Sequence, residues 1–149
     1  MSAPHIADAR LQRVVDLYTH LRSEQLTNQL SVVYDVQASF QDPFSHVHGL
    51  VAIEHIFKDM FESLESPRFE VLDAFSNGDQ AFLTWIMRFE KKGLPKNMSI
   101  QGGTHLYFNS AGDVIVHRGY WDSGQELFAK LPVLGRVIRW VAKKMEIQP

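Results

Sequence analysis

The apolar residues of this 149-residue chain change their period once, near the middle, and that change limits the folds open to it. From Asp8 to Glu24, Leu11, Val14, Val15, Tyr18 and Leu21 recur three and four apart, the spacing of one helical face. Thr27 is placed to cap a second, short helix in which Leu30, Val33 and Tyr34 point inward. "QASFQDP" then reads as a short strand stopped at Pro43, since proline cannot donate to a ladder. After Gly49, "LVAIEHIFKDMFESL" is a third amphipathic helix with Ile53, Phe57 and Phe61 four apart, and Pro67 ends that region. Beyond it the period drops to two. "RFEVLDAFSNGDQAFLTWIMRFEKKG" holds two strands around Asn77-Gly78, and "NMSIQGGTHLYFNSAGDVIVHRGYWD" holds two more around Ser110-Ala111-Gly112-Asp113. Helices first and a four-stranded antiparallel meander second predict an α+β fold with the helices on one face of the sheet. Gly102 and Gly103 inside a strand predict the bulge or bend that a strongly curved sheet needs.

Strand alternation carries the reading further. Ala81, Leu83, Trp85, Met87 and Phe89 share one face of their strand, with Phe82 and Ile86 on the other. Val114, Val116 and Tyr120 likewise oppose Ile115 and Trp121. An antiparallel sheet usually leaves one face wet, so apolar residues on both faces predict a cover for the second. Either the C-terminal helix or a homodimer interface would serve. That helix, expected over 132–146, sets Val133, Val137 and Val141 against Arg136, Arg139, Lys143 and Lys144. With Trp140 as an anchor it also fits a membrane surface, although a solvated helix packed on the domain is the plainer reading.

Bulk properties exclude several classes. One domain spans 1–149, with 45% hydrophobic and 21% charged residues, as in globular proteins. A formal net charge of −2 gives no reason to expect nucleic acid. Cysteine is absent, so disulfides and thiolate chemistry are excluded. "MSAPHIADARLQ" has no basic start followed by an apolar run, and a cytoplasmic setting without a signal peptide is expected. The seven histidines show no His-Glu-x-x-His spacing, and His46, His48, His105 and His117 are not placed to converge, so no metal is expected.

Three helices, a "DP" at Asp42-Pro43, a bent meander and the terminal Tyr120-Trp121 together resemble the nuclear transport factor 2-like superfamily. The SnoaL-like and ketosteroid-isomerase-like branch is most similar, over roughly Asp8 to Leu127. The resemblance implies a cone in which three N-terminal helices pack into a strongly curved antiparallel sheet, with a pocket between them. It also implies dimerisation through the outer sheet face. In the isomerases the general base is the Asp of the "DP" motif, a position held here by Asp42. Their oxyanion-holding Tyr lies on the first helix, where Tyr18 matches. Their second donor is an acid on the third meander strand, where this chain has Thr104. Phe57 stands where a supporting Tyr is expected, which implies that the tyrosine network is lost. His117 replaces an apolar residue and adds a titratable group.

For each candidate a plainer reading stands beside the functional one. Asp42 is either a working acid/base or a turn-former whose carboxylate caps backbone N–H groups. Tyr18 is either a buried helix-face aromatic or a donor to a substrate oxygen. Phe44, Phe57, Phe61, Trp85, Met87, Leu106 and Trp121 are core residues or, in the family arrangement, pocket walls. The expected ligand is a small hydrophobic molecule, bound without a cofactor. Isomerase, cyclase, hydrolase and non-catalytic binding or interaction module all stand open.

Overall fold

A computed structural model describes residues 6–126 and 134–145. Helix α1 (Ala9–Thr19) starts at Asp8, whose carboxylate accepts from Arg10 N–H at 2.9 Å, and it buries Leu11, Val14 and Val15. A 3₁₀ turn (Ser23–Gln25) leads into α2 (Leu26–Ser31). Thr27 lies inside that helix rather than at its cap, and its hydroxyl donates to Glu54 of α3 (Leu50–Ser63). Strand β1 (Tyr34–Gln41) begins earlier than "QASFQDP" indicates and takes Tyr34 out of the helix. The "HVH" of His46–His48 is strand β2, which folds back on β1 with Gln41 opposite His46.

The meander consists of β3 (Glu65–Asn77), β4 (Gln80–Glu90), β5 (Met98–Phe108) and β6 (Val114–Trp121). Asn77 pairs with Gln80, so the first hairpin turns on Gly78-Asp79, with Gly78 at φ +62°. The six strands form one sheet in the order β2-β1-β6-β5-β4-β3. It is antiparallel except where β1 runs parallel to β6.

Ala81, Leu83, Trp85 and Phe89 point into the core, as alternation requires. Strand β6 departs from simple alternation. Tyr107 pairs with Val116 and the next residue, Phe108, with Val114, which leaves Ile115 as an extra residue. That bulge turns Val114 to the same inner face as His117, instead of the face shared with Val116 and Tyr120. Gly102 and Gly103 leave room for rings on opposite sides of the sheet. A Cβ on Gly102 would lie 2.7 Å from Trp85 Cη2, and one on Gly103 2.6 Å from Phe82 Cζ.

The chain after β6 holds α4 (Ser123–Glu126) and α5 (Leu134–Met145). Of the helix expected over 132–146, Pro132, Val133 and Glu146 lie outside the described residues. Val137, Trp140, Val141 and Met145 on α5 are exposed. Among the described residues no helix is long and apolar enough to cross a membrane.

Candidate functional site

The parallel pairing of β1 with β6 builds one wall. It sets Phe40 opposite His117 and Gln41 opposite Arg118, and the two rings stack with centroids 4.3 Å apart. Asp42 follows at the end of β1, on the same side as Phe40, and opens the turn to β2. Its backbone N–H donates to Ser45 O at 2.9 Å, and its Oδ1 accepts from the N–H groups of Phe44 and Ser45 at 2.9 and 2.7 Å. The carboxylate is therefore a turn-former, and it also borders the cavity inside the cone.

Tyr18, on the inner face of α1, meets His117 from the other side. Its Oη lies 2.9 Å from Tyr34 Oη and 3.3 Å from His117 Nδ1, and Tyr34 Oη is 2.8 Å from the same nitrogen. All three side chains are buried. Burial pushes the His117 imidazole down to about 3, so the ring is neutral at ordinary pH. Burial also raises the Tyr18 phenol well above its usual range, helped by Tyr34 and by the negative charge of Asp42. Tyr34 is raised by burial too. A tyrosine pair thus exists despite Phe57, because Tyr34 supplies the second hydroxyl from β1 instead of α3.

Thr104, 2% exposed, accepts a hydrogen bond from Trp85 Nε1 at 2.9 Å and keeps its own proton to donate. Opposite it on β6 is Gly119. A Cβ there would lie 3.4 Å from Asp42 Cβ and 3.8 Å from His117 Nε2, so the missing side chain leaves open the space between those two groups. The cavity holds about 170 Å³. Its interior is made by buried residues including Tyr18, Phe40, Phe57, Trp85, Thr104 and His117. Half-buried Asp42, Met60, Met87 and Trp121 stand at its rim. Among the described residues Asp42 is the only charged side chain lining it, and the walls are otherwise mostly apolar.

The cavity thus brings Asp42, Tyr18, Thr104 and His117 together with Phe57, Trp85, Met87 and Trp121. Three expected wall residues lie elsewhere. Phe44 is carried past the strand end by the turn and is 60% exposed, its ring perpendicular to that of Trp121 with centroids 5.1 Å apart. Phe61 borders a separate surface groove with Leu26, Lys58 and Pro67, because four-residue steps drift around a 3.6-residue helix. Leu106 lies two residues beyond Thr104 on β5 and is fully packed in the core.

A profile of the SnoaL-like domain matches residues 14–117, more than half of the chain. The chain belongs to the SnoaL-like domain family. No curated protein sequence matches it. Solved structures share its fold at low identity. A protein with a ketosteroid isomerase-like fold from Catenulispora acidiphila, in complex with trimethylamine, superposes with a TM-score of 0.71 at 14% identity, over 85% of this chain and 96% of that one. An M. tuberculosis LEH-like epoxide hydrolase gives 0.67 at 13% identity, over 89% and 96%. A proposed SnoaL-like polyketide cyclase from Jannaschia sp. gives 0.64 at 13% identity, over 82% and 91%.

In this SnoaL-like chain the cavity also takes in Phe40, Ile56, Met60, Phe69, Ile100 and Gly119, none of them singled out from the sequence. Phe40 had a signal, since it precedes Asp42 by two residues on one strand and must share its face. Tyr34 had none, because its role depends on where α2 gives way to β1. His46 and His48 are exposed on β2, while His105 faces the outer side, 2.9 Å from Gln80 Oε1. Among the described residues no group of three or more His, Asp or Glu could hold a metal ion.

Proposed function

We propose that the cavity binds a small, largely apolar carbonyl compound and acts on it without a cofactor. In this reading Asp42 moves a proton or activates a water, Tyr18 and Thr104 hold the oxygen on which charge develops, and His117 tunes or relays protons. The reading rests on one observation above all: these four side chains, from α1, the end of β1, β5 and β6, border one cavity of about 170 Å³. That is close to the ~150 Å³ of an engineered cavity that admits benzene, so the space has room for at least one ring. Isomerisation, cyclisation and hydrolysis all fit such a site. The structural neighbours named for a polyketide cyclase and an epoxide hydrolase belong to the same reaction range. The alternative is a carrier that does no chemistry, favoured by the two backbone N–H groups already held by Asp42 Oδ1.

Conversion of 3-cyclohexen-1-one to its conjugated isomer separates the two. Wild type is expected to exceed the buffer rate, and Asp42→Asn to bind the ketone equally but lose at least a hundredfold in turnover. Binding without turnover in the wild type refutes the enzymatic reading, and equal turnover in the variant refutes Asp42 as its base.

Two further contacts belong to this proposal. The outer sheet face, with Phe75 61% and Tyr120 50% exposed beside Phe82 and Tyr107, is assigned to a second copy of the chain. Helix α5 carries four basic residues and no acid, beside the exposed Val137, Trp140 and Val141, and is assigned to an anionic lipid surface.

A further inference from the structure

Tyr34 is not needed to bound the cavity, yet its hydroxyl joins two groups that do. It lies 2.8 Å from His117 Nδ1 and 2.9 Å from Tyr18 Oη. Tyr18 and His117 both line the cavity, so the three side chains make a bridge whose two ends open on one space. Two phenolic protons and one imidazole proton must be distributed over it. Two arrangements keep both short hydrogen bonds. In the first, Tyr18 O–H donates to Tyr34 and Tyr34 O–H donates to Nδ1. The cavity then meets a donor, Nε2–H, and an acceptor, Tyr18 Oη. In the second, Nδ1–H donates to Tyr34 and Tyr34 O–H donates to Tyr18. The donor is then Tyr18 O–H and the acceptor is Nε2. Both arrangements are neutral, so neither places a charge in a buried site.

We propose that Tyr34 turns Tyr18 and His117 into a neutral proton relay that tautomerises a carbonyl ligand. From the second arrangement, a C–H bond next to the carbonyl breaks and its proton goes to Nε2. The Nδ1 proton passes to Tyr34, the Tyr34 proton to Tyr18, and the Tyr18 proton to the ligand oxygen. The electron pair of the broken bond becomes the new C=C bond, and the carbonyl π pair takes up the proton as an enol. Reversal completes an isomerisation. The enol returns its proton to Tyr18, and Nε2–H protonates a different carbon, which restores the starting arrangement. No oxidant, reductant or cofactor enters the balance.

The relay rests on the cavity being the ligand site, and it gives that site a proton route separate from Asp42. The titratable groups facing His117 are Tyr18 from α1, Tyr34 from β1 and Asp42 from the following turn. Among the described residues, the sheet and α3 add Phe40, Thr104, Leu106 and Phe57 around it, and none of these titrates. The neutrality the relay requires agrees with the effect of burial on all three members.

The test is made on the ligand-free full chain with ¹⁵N-labelled histidine, from pH 5 to pH 8. His117 is assigned by the signals lost in His117→Gln. Wild-type His117 is expected not to titrate, and both of its ring nitrogens are expected between the protonated and unprotonated positions, as two tautomers exchange. In Tyr34→Phe the two shifts should separate towards those of one tautomer. A single tautomer in the wild type, protonation within that range, or unchanged averaging in Tyr34→Phe overturns the relay. The wild-type spectrum decides the matter alone if the variant does not fold. Failure of the ligand-site reading is a distinct result, in which 3-cyclohexen-1-one shifts no cavity resonance although His117 shows averaged tautomers.

Discussion

His117 is the residue in which the site's chemistry and the fold's stability meet. Its folded value is depressed to about 3 against 6.5 for the free side chain, so between those values the unfolded chain binds a proton that the folded one refuses. Stability from this group is complete above pH 6.5 and falls as the pH drops towards 3. From pH 7 to pH 5 the loss is about 2 kcal/mol. Denaturant unfolding of the wild type and His117→Gln at both pH values measures it: the variant should lose about 2 kcal/mol less, and an equal loss in both would contradict the buried neutral imidazole. How much of this scale was legible in sequence varies by residue. Asp42, Tyr18, Thr104 and His117 could be named because the resemblance gave each a position. Tyr34 could not, since periodicity does not say that a tyrosine at a helix–strand junction will reach a histidine 83 residues away. Asp42 is the turn-former its local sequence offered, and its Asx turn uses one carboxylate oxygen and leaves the group at the cavity rim.

At the level of elements, the helices and meander followed from period alone, because core-facing residues must repeat at 3.6 or 2 whatever their neighbours. Two features escaped that logic. Strand β2 is three residues long, too short to show alternation. The Ile115 bulge reverses the inward set of β6 upstream of His117, and only the pairing with β5 reveals it. Helix α5 gives the prediction that belongs here. Its four basic residues set +4 against −6 for the rest of the chain, from a total of −2. Vesicles of phosphatidylcholine with phosphatidylserine should sediment the full chain, and phosphatidylcholine alone should not. Each basic residue near an anionic surface contributes about 1 kcal/mol, so Lys143→Glu with Lys144→Glu should weaken binding at least tenfold. Equal sedimentation with both lipids rejects the assignment.

For the whole molecule, the cone gives each face of the sheet a different task. The concave side holds the helices and the cavity, while the convex side exposes Phe75, Tyr107 and Tyr120. A second copy meeting that face predicts a light-scattering mass about twice the 17.1 kDa of one chain, reduced to one by Phe75→Asp with Tyr120→Glu. A wild-type monomer at micromolar concentration contradicts the dimer. Two-sided strands were visible in the sequence, but what covers the outer side was not, because alternation reports burial without naming a partner. The cavity was legible only as a resemblance, since an apolar pocket and a filled core have the same pattern. Its existence as a ligand site is the central claim, and Gly119 gives direct access to it. Titration with 3-cyclohexen-1-one, followed at the indole N–H signals of Trp85 and Trp121, should show a saturable shift in the wild type. Gly119→Leu, which fills the space between Asp42 and His117, should keep the fold and abolish the shift. No shift in the wild type, or the same shift in both proteins, would contradict the account.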